Sequence, residues 1–120
     1  MKAFTDIDQS KKLAEILPVE SADMMWDDWS LIDEGWKLSA GYYPEIEKDY
    51  GRKCYPAWSL AALLDILPNG TDTHKQVNES ISCYFVEVYN NKKYFSTERY
   101  DDLLDACVEM IFKLKEKDLL

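Results

Sequence analysis

The sequence predicts an α+β fold, with a small, mainly antiparallel sheet and three helices in the order α-β-β-α-β-β-α. Three observations predict it: helical spacing of apolar side chains near the C-terminus, two segments that alternate as strands do, and an apolar segment bounded by two prolines. A chain of 120 residues has the usual length of one domain and can bury a sizeable core. We therefore expect residues 1–120 to form a single domain.

The first element is a helix over about residues 6–17. Thr5 and Asp8 have the spacing of an acidic capping box, and apolar side chains recur behind them at helical spacing. Pro18 ends the helix, because the residue before a proline is disfavoured in the α conformation.

A β-hairpin is predicted next. Side chains alternate between two sets over residues 36–43, which is the periodicity of a strand. Residues 22–30 supply the other strand, and a turn at residues 33–35 joins the two. The following stretch, residues 44–55, is polar and shows no period, so we interpret it as a loop.

A second helix is predicted over about residues 57–67. Pro56 can occupy its first turn, and Pro68 follows its end. Nearly all of its side chains are apolar, which is typical of a buried helix. We therefore expect this helix to form the centre of the core.

The rest of the chain is predicted to form a second hairpin and a third helix. Residues 71–76 are polar and are interpreted as a loop, and residues 77–89 alternate as one long amphipathic strand. Residues 90–91 then form a turn, and residues 93–96 return as a strand. Apolar side chains at helical spacing predict the last helix over about residues 98–117.

Acidic residues outnumber basic ones, with 23 Asp and Glu against 14 Lys and Arg and a net charge of −9. Such a chain repels nucleic acid and anionic lipid, so we expect neither as a partner. The charge is concentrated in residues 20–49, which contain nine acids, two bases and three of the four tryptophans. Trp and Tyr anchor many interfaces, because each combines a large rigid area with a polar group.

This concentration predicts an acidic, aromatic surface on the first hairpin that receives a basic protein partner. The residues assigned to it are Trp26, Asp27, Asp28, Trp29, Asp33, Glu34 and Trp36. An alternative is that Trp26 and Trp36 are core residues of a half-buried sheet, while the acids form its solvent-facing side and its turn. The predicted function is that of a non-enzymatic interaction or accessory protein, and an open strand edge could also pair two chains.

The alternative function is that of a small-molecule-binding protein or an enzyme with a pocket beside the sheet. Its polar candidates are Cys54, Tyr55 and His74. One histidine and three widely spaced cysteines favour neither a zinc site nor a disulfide framework. The sequence also contains no nucleotide-binding or EF-hand motif, so we expect no cofactor, no metal and no catalytic residue.

Three segments look like parts of a known group of proteins: QSKKLAEILP (residues 9–18), PAWSLAALLDILP (56–68) and DACVEMI (105–111). In these segments the chain resembles short uncharacterised proteins encoded by gut bacteria and by their phages and mobile elements. The resemblance implies a small accessory protein in an intracellular setting and brings no catalytic residue. The N-terminus has no secretory pattern and no segment is apolar enough to span a bilayer, so we expect a cytoplasmic protein.

Overall fold

The computed structural model describes residues 2–30, 35–79, 81–90 and 92–120. Over these residues the structure confirms the α+β fold, with three helices of seven residues or more. It contains two antiparallel three-stranded sheets, whereas the sequence predicted one sheet. Contacts divide the chain into two compact units, which we call the first unit (residues 4–62) and the second unit (residues 1–3 and 63–120). The expectation of a single domain stays a prediction.

The first unit contains an antiparallel sheet. Its strands are β1 (Met24–Asp28), β2 (Trp36–Ala40) and β3 (Cys54–Ala57), in the spatial order β2-β1-β3. The unit also contains the helices α1 (Ile7–Ala14) and α2 (Glu45–Tyr50) and a 3₁₀ turn at Val19–Ser21. The predicted first hairpin is present, since Trp26 lies opposite Leu38. By contrast, α2 and the start of β3 fall in the stretch that we interpreted as a loop.

The N-terminus of α1 differs from the predicted one. Asp6 is the N-cap: its Oδ1 accepts from the Gln9 N–H at 2.8 Å, and Gln9 Oε1 accepts from the Asp6 N–H at 3.0 Å. Thr5 is not the N-cap but a buried residue. Its hydroxyl forms a hydrogen bond with the Ser10 hydroxyl at 2.8 Å and accepts a hydrogen bond from the backbone N–H of Trp58 at 3.1 Å. These contacts tie the N-terminal segment to the residue that follows β3.

The second unit contains the other antiparallel sheet and the longest helix of the described residues. Its elements are β4 (Thr71–Asn78), β5 (Ile81–Asn90), β6 (Lys93–Ser96) and α4 (Leu103–Glu116), and its strand order is β4-β5-β6. The core of this unit lies between α4 and β5, where Val86 and Val88 are buried. The residues interpreted as a loop, 71–76, belong to β4, whose mostly exposed and polar side chains give no apolar alternation.

The apolar segment around residues 57–67 forms a shorter helix than predicted. The helix α3 covers Leu60–Ile66, because Ala57 pairs with Met24 in the first sheet. Of the seven residues of α3, all of them described, only Leu63 is buried. The expectation that this helix forms the centre of the core is therefore wrong.

The C-terminal helix is present but begins later than predicted. It begins at Leu103 because the residues before it are held in an extended conformation. The Tyr84 N–H donates to the Tyr100 carbonyl at 2.7 Å, and the Tyr100 N–H donates to the Tyr84 carbonyl at 2.9 Å. The Tyr100 hydroxyl also donates to Glu109 at 2.7 Å, a hydrogen bond that, with burial, raises the pKa of Tyr100 to about 12.

Candidate protein-binding surface

Asp27 belongs to a buried ion pair. It lies on the central strand β1, and only 5 % of its surface is exposed. The Arg52 guanidinium donates to both carboxylate oxygens, from Nε to Oδ1 at 3.0 Å and from Nη2 to Oδ2 at 3.1 Å. Burial raises the pKa of Asp27, but hydrogen bonds from Arg52 and Trp29 lower it by more, so this pKa lies below its ordinary value. Asp27 is therefore a paired internal charge and not part of an exposed acidic face.

Cys54 lies opposite Asp27 in the sheet and is also buried. Its Sγ is 3.8 Å from Oδ1 of Asp27. Burial, together with the negative charge of Asp27, raises the pKa of the Cys54 thiol to about 11. The thiol therefore stays protonated near neutral pH, which argues against Cys54 as a nucleophile, because the thiolate is the reactive form.

The other two residues proposed for a pocket have close neighbours of their own. In the first unit, the Tyr55 ring lies 5.6 Å from the Trp36 ring between centroids. In the second unit, His74 lies on the strand β4 and not in a loop. Its ring stacks on Phe85 with 4.5 Å between centroids, and its Nε2 is 2.6 Å from Oε1 of Glu87.

Open depressions on the two units are lined by other residues. One of about 290 Å³ lies on the first unit, and two of about 440 and 520 Å³ lie on the second. None of these three is lined by Cys54, Tyr55 or His74. They therefore give no support to the pocket-based alternative.

Trp26 and Trp36 are half-buried and contribute to the packing of the first sheet. The Trp26 indole donates from Nε1 to the Thr5 carbonyl at 3.0 Å, and its ring meets Phe4 edge-on at 6.1 Å between centroids. Trp36 packs against Tyr55 across the sheet. These contacts favour the alternative interpretation of both tryptophans as parts of a half-buried sheet.

Trp29 follows β1 and is contacted by two cations. The Arg52 guanidinium lies 4.1 Å from the centre of its ring, and Nζ of Lys37 lies 4.9 Å from it. The same guanidinium lies 5.1 Å from the Tyr50 ring. Arg52 therefore links Trp29 to the C-terminal end of α2 through cation–π contacts.

The remaining residues assigned to the site are acids. Asp28 is half-buried and accepts the Ser30 N–H at 2.9 Å. Hydrogen bonds from Ser30 lower the pKa of Asp28 below its ordinary value. Asp33 and Glu34 lie outside the described residues. Partner binding by this set of residues stays a prediction.

The helix α2 and the residue two positions before it form an exposed acidic surface. None of the six residues of α2 is buried. Glu45, Glu47 and Asp49 are exposed, and Tyr43 and Tyr50 are 51 % and 69 % exposed. We call these five residues the acidic tyrosine surface. None of them was predicted from the sequence as a site residue, although their acids fall in the acidic residues 20–49.

Short-range signals explain why α2 forms. Pro44 is its N-cap, and Gly51 ends it in the left-handed conformation, with φ +69° and its N–H donating to the Glu47 carbonyl at 3.0 Å. Proline at the start and glycine after the end are typical helix boundaries, and this is the signal that the loop interpretation missed.

Glycine at position 41 determines where the Tyr43 ring lies. Gly41 has φ +80°, and Tyr43 ring atoms lie 2.9 Å from where a Cβ would stand, so glycine at this position lets the Tyr43 ring pack on the backbone.

Within the ranges that the structure describes, no group of three or more His, Cys, Asp or Glu side chains is arranged to hold a metal ion. In the same part of the chain, no helix combines the length and the apolar character needed to cross a membrane. Comparison with known proteins gives no match to a family model, a curated protein or a solved structure. The function is therefore inferred from the geometry of the surface.

Proposed function

We propose that the protein is a non-enzymatic interaction protein that binds a basic protein partner through the acidic tyrosine surface. One observation carries the proposal: α2 presents three exposed acids bracketed by two exposed tyrosines and has no buried residue of its own. Its one half-buried side chain is that of Ile46, so a helix this short gains little stability from packing. The other five side chains of α2 are exposed and are therefore available to a partner.

The two tyrosines supply the apolar contact area. Tyr43 lies two residues before α2 and Tyr50 is its last residue, and each residue is more than half exposed. Tyrosine is enriched at binding hot spots because it offers a rigid ring with a hydroxyl group. The Arg52 guanidinium, which contacts both Tyr50 and Trp29, extends this area to the end of β1. Trp29 thus remains in the proposed site, together with the neighbouring Asp28.

The acids supply charge complementarity. Glu45, Glu47 and Asp49 outnumber Lys48 on the helix. Two more cations lie close by: the Nζ of Lys53 is 3.5 Å from Oε1 of Glu47, and Arg52 is paired with the buried Asp27. Exposed charges of one sign accelerate the encounter with a partner of the opposite sign, while each exposed ion pair adds little affinity. We therefore assign recognition of a basic partner to the acids and most of the contact area to the tyrosines.

The sequence resemblance of residues 9–18, 56–68 and 105–111 to proteins of gut bacteria and mobile elements suggests the setting in which the protein would act. We propose that the chain acts in the bacterial cytoplasm as an accessory protein of such a system. The partner would be a basic protein, because the surface that receives it is acidic. An enzymatic role is not part of the proposal.

A titration with a cationic probe tests the proposal. The full-length protein is titrated with a fluorescent synthetic peptide rich in Lys and Arg that contains one Trp, and the dissociation constant is read from fluorescence anisotropy. The surface variant, Glu45→Gln/Glu47→Gln/Asp49→Asn, is expected to bind about tenfold more weakly, because exposed ion pairs contribute about 0.2–1 kcal/mol each.

A matched control separates this surface from the net charge. The control variant, Asp65→Asn/Asp101→Asn/Glu116→Gln, removes three exposed acids elsewhere in the chain and changes the net charge equally. It is expected to bind the peptide as tightly as the unmodified protein at moderate salt, where distant charges are screened. Equal weakening in both variants, or no binding by the unmodified protein, would contradict the proposal.

A further inference from the structure

The strand β4 is an edge of the sheet in the second unit. Its neighbour is β5, and no described residue of the unit forms a strand on its other side. β4 spans eight residues, against four in β6 at the opposite edge. Its side chains are mostly exposed, including that of Val77 at 64 %. A long exposed edge offers backbone hydrogen-bonding groups to another strand.

The ladder shows which backbone groups point away from β5. The Tyr89 N–H donates to the Gly70 carbonyl at 3.1 Å, so the carbonyl of residue 70 points towards β5. This direction alternates along an antiparallel strand, so the even-numbered residues of β4 bond to β5. The backbone N–H and C=O groups that point outward belong to Thr71, Thr73, Lys75 and Val77.

We propose that β4 of a second copy of this chain occupies the edge, antiparallel and related by a two-fold axis at His74. In this register, Thr71 lies opposite Val77 of the second copy, and Thr73 lies opposite Lys75 of the second copy. All four outward-facing residues of each strand then find a hydrogen-bonding partner. The axis is perpendicular to the sheet, so each face of one sheet continues into the same face of the other.

Neighbouring registers satisfy fewer groups. An axis at Thr73 leaves Val77 without an opposing strand residue. An axis at Lys75 leaves Thr71 unpaired and sets two lysines directly opposite each other, which is destabilising. With the axis at His74, each pair of facing residues has one member from each copy, and His74 faces His74 of the second copy. The other facing pairs are Thr71 with Val77, Asp72 with Gln76, and Thr73 with Lys75. No acid faces an acid and no lysine faces a lysine, so the edge complements itself in length and in hydrogen bonding without setting like-charged Asp or Lys side chains opposite each other.

Disulfide trapping tests the register. Residue 74 faces itself in a non-hydrogen-bonded pair, where Cα atoms lie about 4.5 Å apart and a disulfide can form. In a Cys83→Ser background, the full-length His74→Cys protein is expected to give a covalent dimer under mild oxidation. Asp72→Cys and Gln76→Cys are expected to give dimers only when mixed with each other. Dimers from all three single variants, or from none of the variants, overturn the proposal.

Sedimentation equilibrium of the reduced, full-length protein tests the dimer itself. Thr73→Pro removes an outward-pointing N–H and leaves the bonds to β5 in place, whereas Thr73→Val keeps this N–H. Because two hydrogen bonds are lost per dimer, the dissociation constant of Thr73→Pro is expected to be about thirtyfold higher than that of Thr73→Val, with an unchanged circular dichroism spectrum. A monomeric unmodified protein, or equal dissociation constants for the two variants, overturns the proposal.

Discussion

Replacing Trp58 with alanine is expected to destabilise the protein by about 3–5 kcal/mol, the range for removing a large aromatic side chain from a packed core. Trp58 is fully buried, and its indole N–H donates to Oγ of Ser21 at 2.9 Å. Alanine would leave a cavity and remove the donor to this hydroxyl, while its backbone would keep the bond to Thr5. Urea unfolding followed by circular dichroism measures the loss.

Two further substitutions are expected to destabilise the protein less than Trp58→Ala. Trp58→Phe keeps most of the ring volume and loses the indole hydrogen bond, so we expect a loss of about 1–2 kcal/mol. Trp29→Ala removes a half-buried side chain that contacts the cations Arg52 and Lys37 and hydrogen-bonds Asp27, so its cost should also be smaller than that of replacing the fully buried Trp58. A Trp58→Ala protein no less stable than Trp29→Ala would contradict the packing described for the first unit.

Replacing Arg52 with methionine is expected to destabilise the protein and to reverse part of its pH dependence. The change leaves the Asp27 carboxylate buried without its cation, and an uncompensated buried carboxylate costs about 3 kcal/mol. In the unmodified protein, the pKa of Asp27 lies below its unfolded value. Its ionised form therefore contributes stability above about pH 4, and this contribution is lost as the pH falls through the folded pKa.

In the Arg52→Met protein, burial, the largest single influence on the pKa of Asp27, still raises this pKa, whereas Arg52 no longer lowers it and the hydrogen bonds from Trp29 and Cys54 still do. We expect burial to outweigh these two hydrogen bonds. The folded pKa of Asp27 then exceeds the unfolded one, so the variant should gain stability as the pH falls from about 6 to about 4. Urea midpoints at several pH values measure the difference from the unmodified protein.

The double variant Asp27→Asn/Arg52→Met is the control for this pH effect. It carries no ionisable group at either position, so the difference in its stability from the unmodified protein should stay constant from about pH 6 to about pH 4, the range in which Arg52→Met alone should gain stability. It should also be more stable than Arg52→Met at neutral pH, because no buried charge is left unpaired. If the single and double variants had the same pH profile, Asp27 would not be the group responsible.

The sequence predicts the elements whose side chains alternate between core and solvent. The helix α4 buries one face, so apolar residues recur in it with the correct period. In β5 the alternation predicts a strand but not its buried face, because Val86 and Val88 are buried whereas Ile81, on the opposite face, is 70 % exposed. The helix α2 and the strand β4 have no such face, since α2 has no buried residue and β4 is mostly exposed. Hydrophobic periodicity cannot detect elements of this kind, and for α2 only the boundary residues Pro44 and Gly51 indicate a helix.

The candidate site was predicted in part. Strand alternation places Trp26 and Asp27 on opposite faces of β1, so both could not belong to one exposed surface. The partner of Asp27, however, is Arg52, which precedes β3 and reaches Asp27 only through the pairing of β1 with β3. No local pattern encodes that pairing, so the burial of Asp27 and the shift of the exposed acids to α2 required the three-dimensional structure.

Affinity capture from a lysate of the native host tests the central claim most directly. Full-length unmodified protein, the surface variant and the control variant are immobilised at equal density, and the retained proteins are quantified by mass spectrometry. We predict that a basic protein is retained by the unmodified protein and the control variant and is lost from the surface variant, Glu45→Gln/Glu47→Gln/Asp49→Asn. Retention of the same proteins by all three would contradict binding through the acidic tyrosine surface.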